Sequence, residues 1–404
     1  MRFNRFFPAV CCLVMLFIAL TAASFIRQKP EAKAETVFAN EDTEEDRPEP
    51  NEEMRGLWVT YFELDMTGET DMSETGFRNK FENIASKAEK LKFNTIIAQV
   101  RPFCDALYES EYFPCSHILS GEQGADPGYD ALKIMCEICR KHGLKIHAWL
   151  NPYRVTLNET PEELSDDNPY YRDDIACIET DNWIILDPSD EKSRELIING
   201  ISELVNKYDI DGVQFDDYFY PADTGDNDSE QYQSYLDNTE SQNPMDLEAW
   251  RKYNVNLLVA EAYRTVHDKG KVFGISPQGN LKNNEGLAAD VINWCCANGF
   301  VDYICPQIYF SPTNPKLGFE DSLKEWTELD FAKGVRLYVG LAGYKANDKD
   351  ADEGTWAGSN DILSKEYQTV KSDPKVSGIM LYSFSSLIDE QKSGEINNLV
   401  RSFG

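Results

Sequence analysis

Asp211-Gly212-Val213-Gln214-Phe215-Asp216-Asp217-Tyr218-Phe219-Tyr220-Pro221 begins as a short apolar run and ends in carboxylates and aromatic rings. Residues 212–216 have the length of a buried strand, and Pro221 closes the turn beyond them. An amphipathic stretch near 190–207 precedes this run, and a second, near 247–269, follows it. A strand set between two helical patterns is the repeating unit of a parallel sheet.

The unit recurs in both directions along the chain. Strand patterns are expected at 55–61, 95–100, 145–150, 212–216, 272–276, 303–308, 337–341 and 378–382. Helical patterns follow each, near 76–91, 128–142, 190–207, 247–269, 286–298, 319–329, 359–373 and 388–402. Eight strand–helix units predict an α/β chain closed into a (β/α)8 TIM barrel over 54–404. An open doubly wound sheet would carry a glycine-rich phosphate loop, and neither GxGxxG nor GxxxxGK[ST] occurs. Two long connections, 151–190 after the third strand and 218–246 after the fourth, leave the C-terminal strand ends. That face of a barrel carries the active site, so these loops are expected to wall a groove.

The strand ends carry the chemistry. The second supplies Gln99, Arg101 and, just beyond, Asp105; the third supplies Trp149, Asn151 and Tyr153. The fourth supplies Gln214, Asp216, Asp217, Tyr218 and Tyr220. The last four supply Gln278, then Gln307 and Tyr309, then Tyr344, then Tyr382. Amides, carboxylates and Arg suit sugar hydroxyls, and Tyr and Trp offer faces for the apolar side of a pyranose ring. The non-acidic members are therefore read as substrate-binding, and Asp216, Asp217 and Asp105 as catalytic. Glycosidic cleavage needs one protonated and one ionised carboxyl group, and neighbouring acids can split their titration that way. Strand alternation favours Asp216 over Asp217 as the groove-facing member, since Asp216 shares parity with Gln214. An Asp-Asp pair at a strand end also serves as a helix cap or as a partner for a rim arginine. Arg101 reads equally as an ion-pair partner of Asp216 or Asp105 and as a substrate contact. His147, inside its strand, reads as a packed barrel histidine.

The net charge of -31 over 404 residues argues against nucleic acid as a partner. Arg2 and Arg5 before an uncharged apolar run at 6–25 read as an export signal or retained signal anchor spanning 1–34. Residues 35–53 hold nine acidic residues, one basic residue and two prolines, the composition of a solvated linker. Extracellular or envelope localisation is expected, with a possible membrane tether. Of ten cysteines, Cys104 and Cys115 are the best candidates for a disulfide. With four histidines and neither HxH nor HExxH, no metal and no cofactor are called for. A calcium site at Asp223, Asp226 and Asp228 lacks the full loop spacing. No GxSxG marks a serine nucleophile.

Five stretches resemble a known family. They are Met54-Arg55-Gly56-Leu57-Trp58-Val59-Thr60, Asn94-Thr95-Ile96-Ile97-Ala98-Gln99-Val100-Arg101-Pro102, His147-Ala148-Trp149-Leu150-Asn151-Pro152-Tyr153-Arg154, the run 209–221, and Asp302-Tyr303-Ile304-Cys305-Pro306-Gln307-Ile308-Tyr309. Between about 54 and 387 the chain resembles the glycosyl-hydrolase-like 10 family of bacterial envelope proteins. The resemblance implies a TIM barrel, export, and a glycan substrate. Some members are implicated in cleaving peptidoglycan strands stripped of their peptides. Relatives often carry His at the place of Gln214 and a small residue at that of Cys104, so no imidazole role carries over. Chitinase-type barrels read DGxDxDxE in the fourth strand, and Tyr218 stands where their acid would be. The general acid is then sought in Asp105, Glu63 or Asp217, in that order, with Asp216 as nucleophile or base. A non-catalytic glycan-binding barrel at the cell surface is the competing reading, and a metal-dependent hydrolase a third.

Overall fold

A computed structural model describes residues 53–404. The expected export segment (1–34) and the linker (35–53) lie outside the described residues, apart from Glu53.

Among the described residues eleven strands run in chain order as β1 (Met54–Val59), β2 (Thr95–Arg101), β3 (Lys145–Leu150), β4 (Arg154–Leu157), β5 (Cys177–Glu179), β6 (Trp183–Leu186), β7 (Gly212–Phe215), β8 (Val272–Ile275), β9 (Tyr303–Ile304), β10 (Arg336–Ala342) and β11 (Val376–Tyr382). Eight of them close into a parallel barrel in the order β1-β11-β10-β9-β8-β7-β3-β2. The helices between them start on side-chain caps where an acid stands ready. Asp130, Asp190 and Asp246 accept the free N–H groups of the helices Ala131–Lys141, Glu191–Lys207 and Leu247–His267.

Three local features depart from the sequence pattern. β9 stops after Ile304, because Pro306 has no N–H to give the ladder. The line is resumed by Gln307, which bridges Gln278 on one side and Gly340 on the other. The connection after β3, expected as loop, holds the antiparallel sheet β4-β6-β5. The connection after β7 holds a helix, Ser229–Asn238, none of whose residues is buried. Without an apolar stripe that helix has no periodic signal to read.

The barrel interior is filled by Trp58, Ile97, Trp149, Tyr303, Cys305, Tyr338 and Met380. Polar bonds run through it. Trp58 Nε1 donates to Gln214 Oε1 at 2.6 Å, and Gln214 Nε2 donates to the Tyr303 hydroxyl at 3.2 Å. His147 Nδ1 lies 3.0 Å from the same hydroxyl. Burial pushes the His147 imidazole down to about 4. Gly274 makes room for this arrangement: a Cβ there would sit 2.1 Å from the Tyr303 ring.

The expected Cys104–Cys115 disulfide is absent, and all eight cysteines among the described residues are free. The backbone register explains it, since Ala106 and not Cys104 stands opposite Cys115.

Candidate active site

Asp216 is the first residue past β7, and its carboxylate is buried at the barrel mouth. A chain of amides reaches it from the neighbouring strands. The Tyr61 N–H donates to Gln99 Oε1 at 3.0 Å, and Gln99 Nε2 donates to Asn151 Oδ1 at 2.7 Å. Asn151 Nδ2 in turn donates to Asp216 Oδ2, and the Tyr218 N–H donates to Oδ1 at 3.2 Å.

Asp217 is held from the other side. Gln307 Nε2 donates to Asp217 Oδ1 at 2.8 Å, and Gln278 Nε2 donates to Oδ2. Gly279 allows this, because a Cβ there would lie 2.2 Å from the Gln307 carbonyl oxygen. The chain has left β7 at this point, so strand alternation does not turn Asp217 away. The expectation that parity would set Asp217 apart is corrected on that ground.

Burial raises the titration of both acids. Asp216 is pushed up to about 7, first by burial and then by the charge of Asp217 beside it. Asp217 is raised by burial but drawn back by its two glutamine donors. The Arg154 guanidinium lowers both. The pair therefore keeps a proton where separate carboxyls would both be ionised.

Arg154 is buried beside them. Its Nε donates to the Pro102 carbonyl at 2.6 Å, and its guanidinium lies 4.9 Å from the Phe103 ring centroid and 5.9 Å from that of Tyr218. Its Nη2 has no partner among the described residues. A triangle of tyrosines also lies near the acids. Tyr309, Tyr344 and Tyr382 have ring centroids 5.7 to 5.9 Å apart. Tyr218 and Tyr344 are 39% and 41% exposed, so these rings offer open faces above the acids.

The family model described as "Glycosyl hydrolase-like 10" matches residues 53–358. The chain belongs to the glycosyl hydrolase-like 10 family. Glycosyl hydrolase YngK of Bacillus subtilis (strain 168) is 34% identical over 323 residues, 73% of this chain; the match spans only 61% of YngK. Glycosyl hydrolase DigH of Escherichia coli (strain K12) is 29% identical over 429 residues, covering 97% of this chain and 96% of DigH. Two solved structures share the fold at low identity. The PgaB (BpsB) glycoside hydrolase domain from Bordetella bronchiseptica superposes with a TM-score of 0.57 at 11% identity, over 85% of this chain and 98% of that one. The catalytic domain of beta-amylase from Paenibacillus polymyxa does so with 0.55 at 9%, over 86% and 98%.

In this member of the family, several expected site residues lie elsewhere. Asp105 is fully buried in a cradle of its own, accepting from Ser116 Oγ at 2.9 Å and Gln123 Nε2 at 3.2 Å, with His117 Nδ1 3.3 Å away. Glu63 is also committed, to Ser383 Oγ at 2.6 Å and the Ser385 N–H at 2.5 Å. Arg101 faces away from the groove, 4.5 Å over the Phe113 ring and against Gly200, because the β2–β3 register shifts between Gln99 and Arg101. It makes an ion pair with neither Asp216 nor Asp105. Trp149 and Gln214 belong to the barrel interior, and Gln214 is 0% exposed. Tyr153 and Tyr220 lie buried behind the mouth, next to Asp187, as the chain turns into β4 and under the Leu287 carbonyl.

Gln99, Asn151, Gln278, Gln307, Tyr218, Tyr309, Tyr344 and Tyr382 do gather around the two acids. Arg154 was passed over. Its signal was a cation one residue past Tyr153, at the end of a strand already rich in polar groups. Among the described residues no cluster of three or more His, Cys, Asp or Glu is placed to hold a metal. Asp228 of the suggested calcium site is instead paired to Arg251, whose Nε donates to it at 2.7 Å.

Proposed function

We propose that this protein is an exported O-glycosyl hydrolase of the bacterial envelope, and that its substrate is cell-wall glycan free of peptides. One observation carries the chemistry. Two adjacent buried carboxyls are held from the two sides of β7; burial raises both, and Asp217 alone takes two side-chain amide donors. Asp216, expected as nucleophile or base, takes the part of the acid instead: it gives its proton to the glycosidic oxygen as the bond to the anomeric carbon breaks. Asp217, which accepts from Gln278 and Gln307, acts in its ionised form as nucleophile or as base toward water. One water then supplies the hydroxyl of the anomeric carbon, and the proton it leaves restores the Asp216 acid.

The tyrosine triangle suits pyranose faces, and Arg154 suits an acidic or hydroxyl substituent. The choice of cell-wall glycan follows the family resemblance, and export follows the basic and apolar N-terminus. The test is release of reducing ends from peptide-free peptidoglycan strands by the full chain. Release that persists in chelator is expected. No release from this or any other glycan offered would sink the proposal.

A further inference from the structure

The connection after β3 carries a second concave surface. A cleft of about 630 Å³ opens on the sheet β4-β6-β5, within the size range, roughly 300–1,000 Å³, of small-ligand sites. Trp183, the first residue of β6, forms one wall; Tyr170 and Tyr171 form another. The Trp183 ring lies 5.2 Å from the ring of Tyr218, tilted by 38°. Tyr218 is the residue whose N–H bonds to Asp216, so the Tyr218 ring stands between Trp183 of the cleft and the acids of the mouth.

The walls are fixed. The Trp183 N–H donates to Thr180 Oγ1 at 3.1 Å, and the Tyr170 hydroxyl donates to Glu179 Oε1 at 2.8 Å. Asn182 Nδ2 donates to Asp223 Oδ2 at 3.2 Å, which ties this sheet to the loop after β7. Tyr171 is 54% exposed, an uncovered aromatic face. The rim carries Glu159, Glu162, Glu163 and Asp181, and among the described residues no lysine or arginine lines the cleft. A ring bearing a carboxylate is repelled here, whereas a neutral ring can stack.

We propose that this cleft is a distal subsite of the same groove, which seats a pyranose ring lacking a carboxylate against Trp183 and so favours long chains. The inference rests on the hydrolase reading of the mouth. A rigid aromatic face next to Tyr218 adds binding energy only for a chain long enough to reach from the acids to Trp183. Short substrates do not sense it.

The test measures kcat/KM of the full chain on a disaccharide, a tetrasaccharide and an octasaccharide of peptide-free cell-wall glycan. The value should rise with length. Trp183→Ala should remove roughly tenfold from the longest substrate, equivalent to about 1.4 kcal/mol, and leave the shortest unchanged. Trp183→Phe, which keeps an aromatic face, should restore most of the gain. Oligouronates, acidic at every ring, should show no rise with length. An equal loss at all lengths, no loss at all, or an equal rise with oligouronates overturns the subsite. If the wild type cleaves none of them, the hydrolase reading falls by itself. Calorimetric affinities of the same oligosaccharides then decide the subsite: length-dependent binding lost in Trp183→Ala keeps it, and length-independent binding overturns it.

Discussion

Gln307 donates its side-chain amide to Asp217 at 2.8 Å, from a strand line on the far side of β7 from the Asn151 that serves Asp216. Consecutive acids thus answer to different neighbours, and the difference has a kinetic consequence. Activity needs Asp217 ionised and Asp216 protonated. It should fall as pH rises through about 7, where Asp216 loses its proton. It should also fall on the acid side as Asp217 takes one up. Gln307→Leu removes a donor that draws the Asp217 titration down. The acid limb of kcat/KM should then move up by about one pH unit. An unmoved acid limb would detach Asp217 from catalysis.

Arg154 lowers the titration of both acids. Arg154→Met should move both limbs of the profile upward, by about one unit each. A change in KM with no shift of either limb would assign Arg154 to substrate binding alone.

Asp216→Asn should lower kcat by about 10²–10⁴, the range for loss of a general acid. It should also stabilise the fold at neutral pH. The folded-state titration of Asp216 lies above its unfolded value of 3.8, so the wild type loses stability as pH rises from there through about 7. Asn carries no such cost. The variant should melt a few degrees higher at pH 7, by on the order of 2 kcal/mol, with the difference vanishing near pH 4. An inactive variant with an unchanged melting curve across that window would contradict the buried, protonated Asp216.

Gln214 bonds Trp58 Nε1 and the Tyr303 hydroxyl inside the barrel. Gln214→Leu should cost about 1–3 kcal/mol in urea unfolding, since the indole N–H loses its partner. Loss of kcat/KM at unchanged stability would instead restore the substrate contact that its strand position first suggested.

The barrel was legible because its strands are short apolar runs bounded by polar ends, and all eight recur in order. The mouth was legible in part for the same reason: Asn151, Gln278, Gln307 and Tyr309 sit one to five residues beyond strand cores. What misled was backbone irregularity. A register shift in β2 turned Arg101 outward, and the end of β7 at Phe215 freed Asp217 from alternation. Depth misled as well, because a strand's inward residues belong to the core below its last residue and to the site only above it. Gln214 and Asp216 share parity, yet only Asp216 stands in the mouth. The sheet carrying Trp183 was illegible, since strands of three and four residues have too few alternations to read.

The most direct test compares the wild type with Asp216→Asn and Asp217→Asn on peptide-free cell-wall glycan, reading binding by calorimetry and products by mass spectrometry. Shorter glycans, each bond cleaved with the addition of one water, should appear with the wild type only, while both variants still bind. Binding by the wild type without any product would make the barrel a glycan-binding protein, and undiminished cleavage by Asp216→Asn would remove the acid pair from the chemistry.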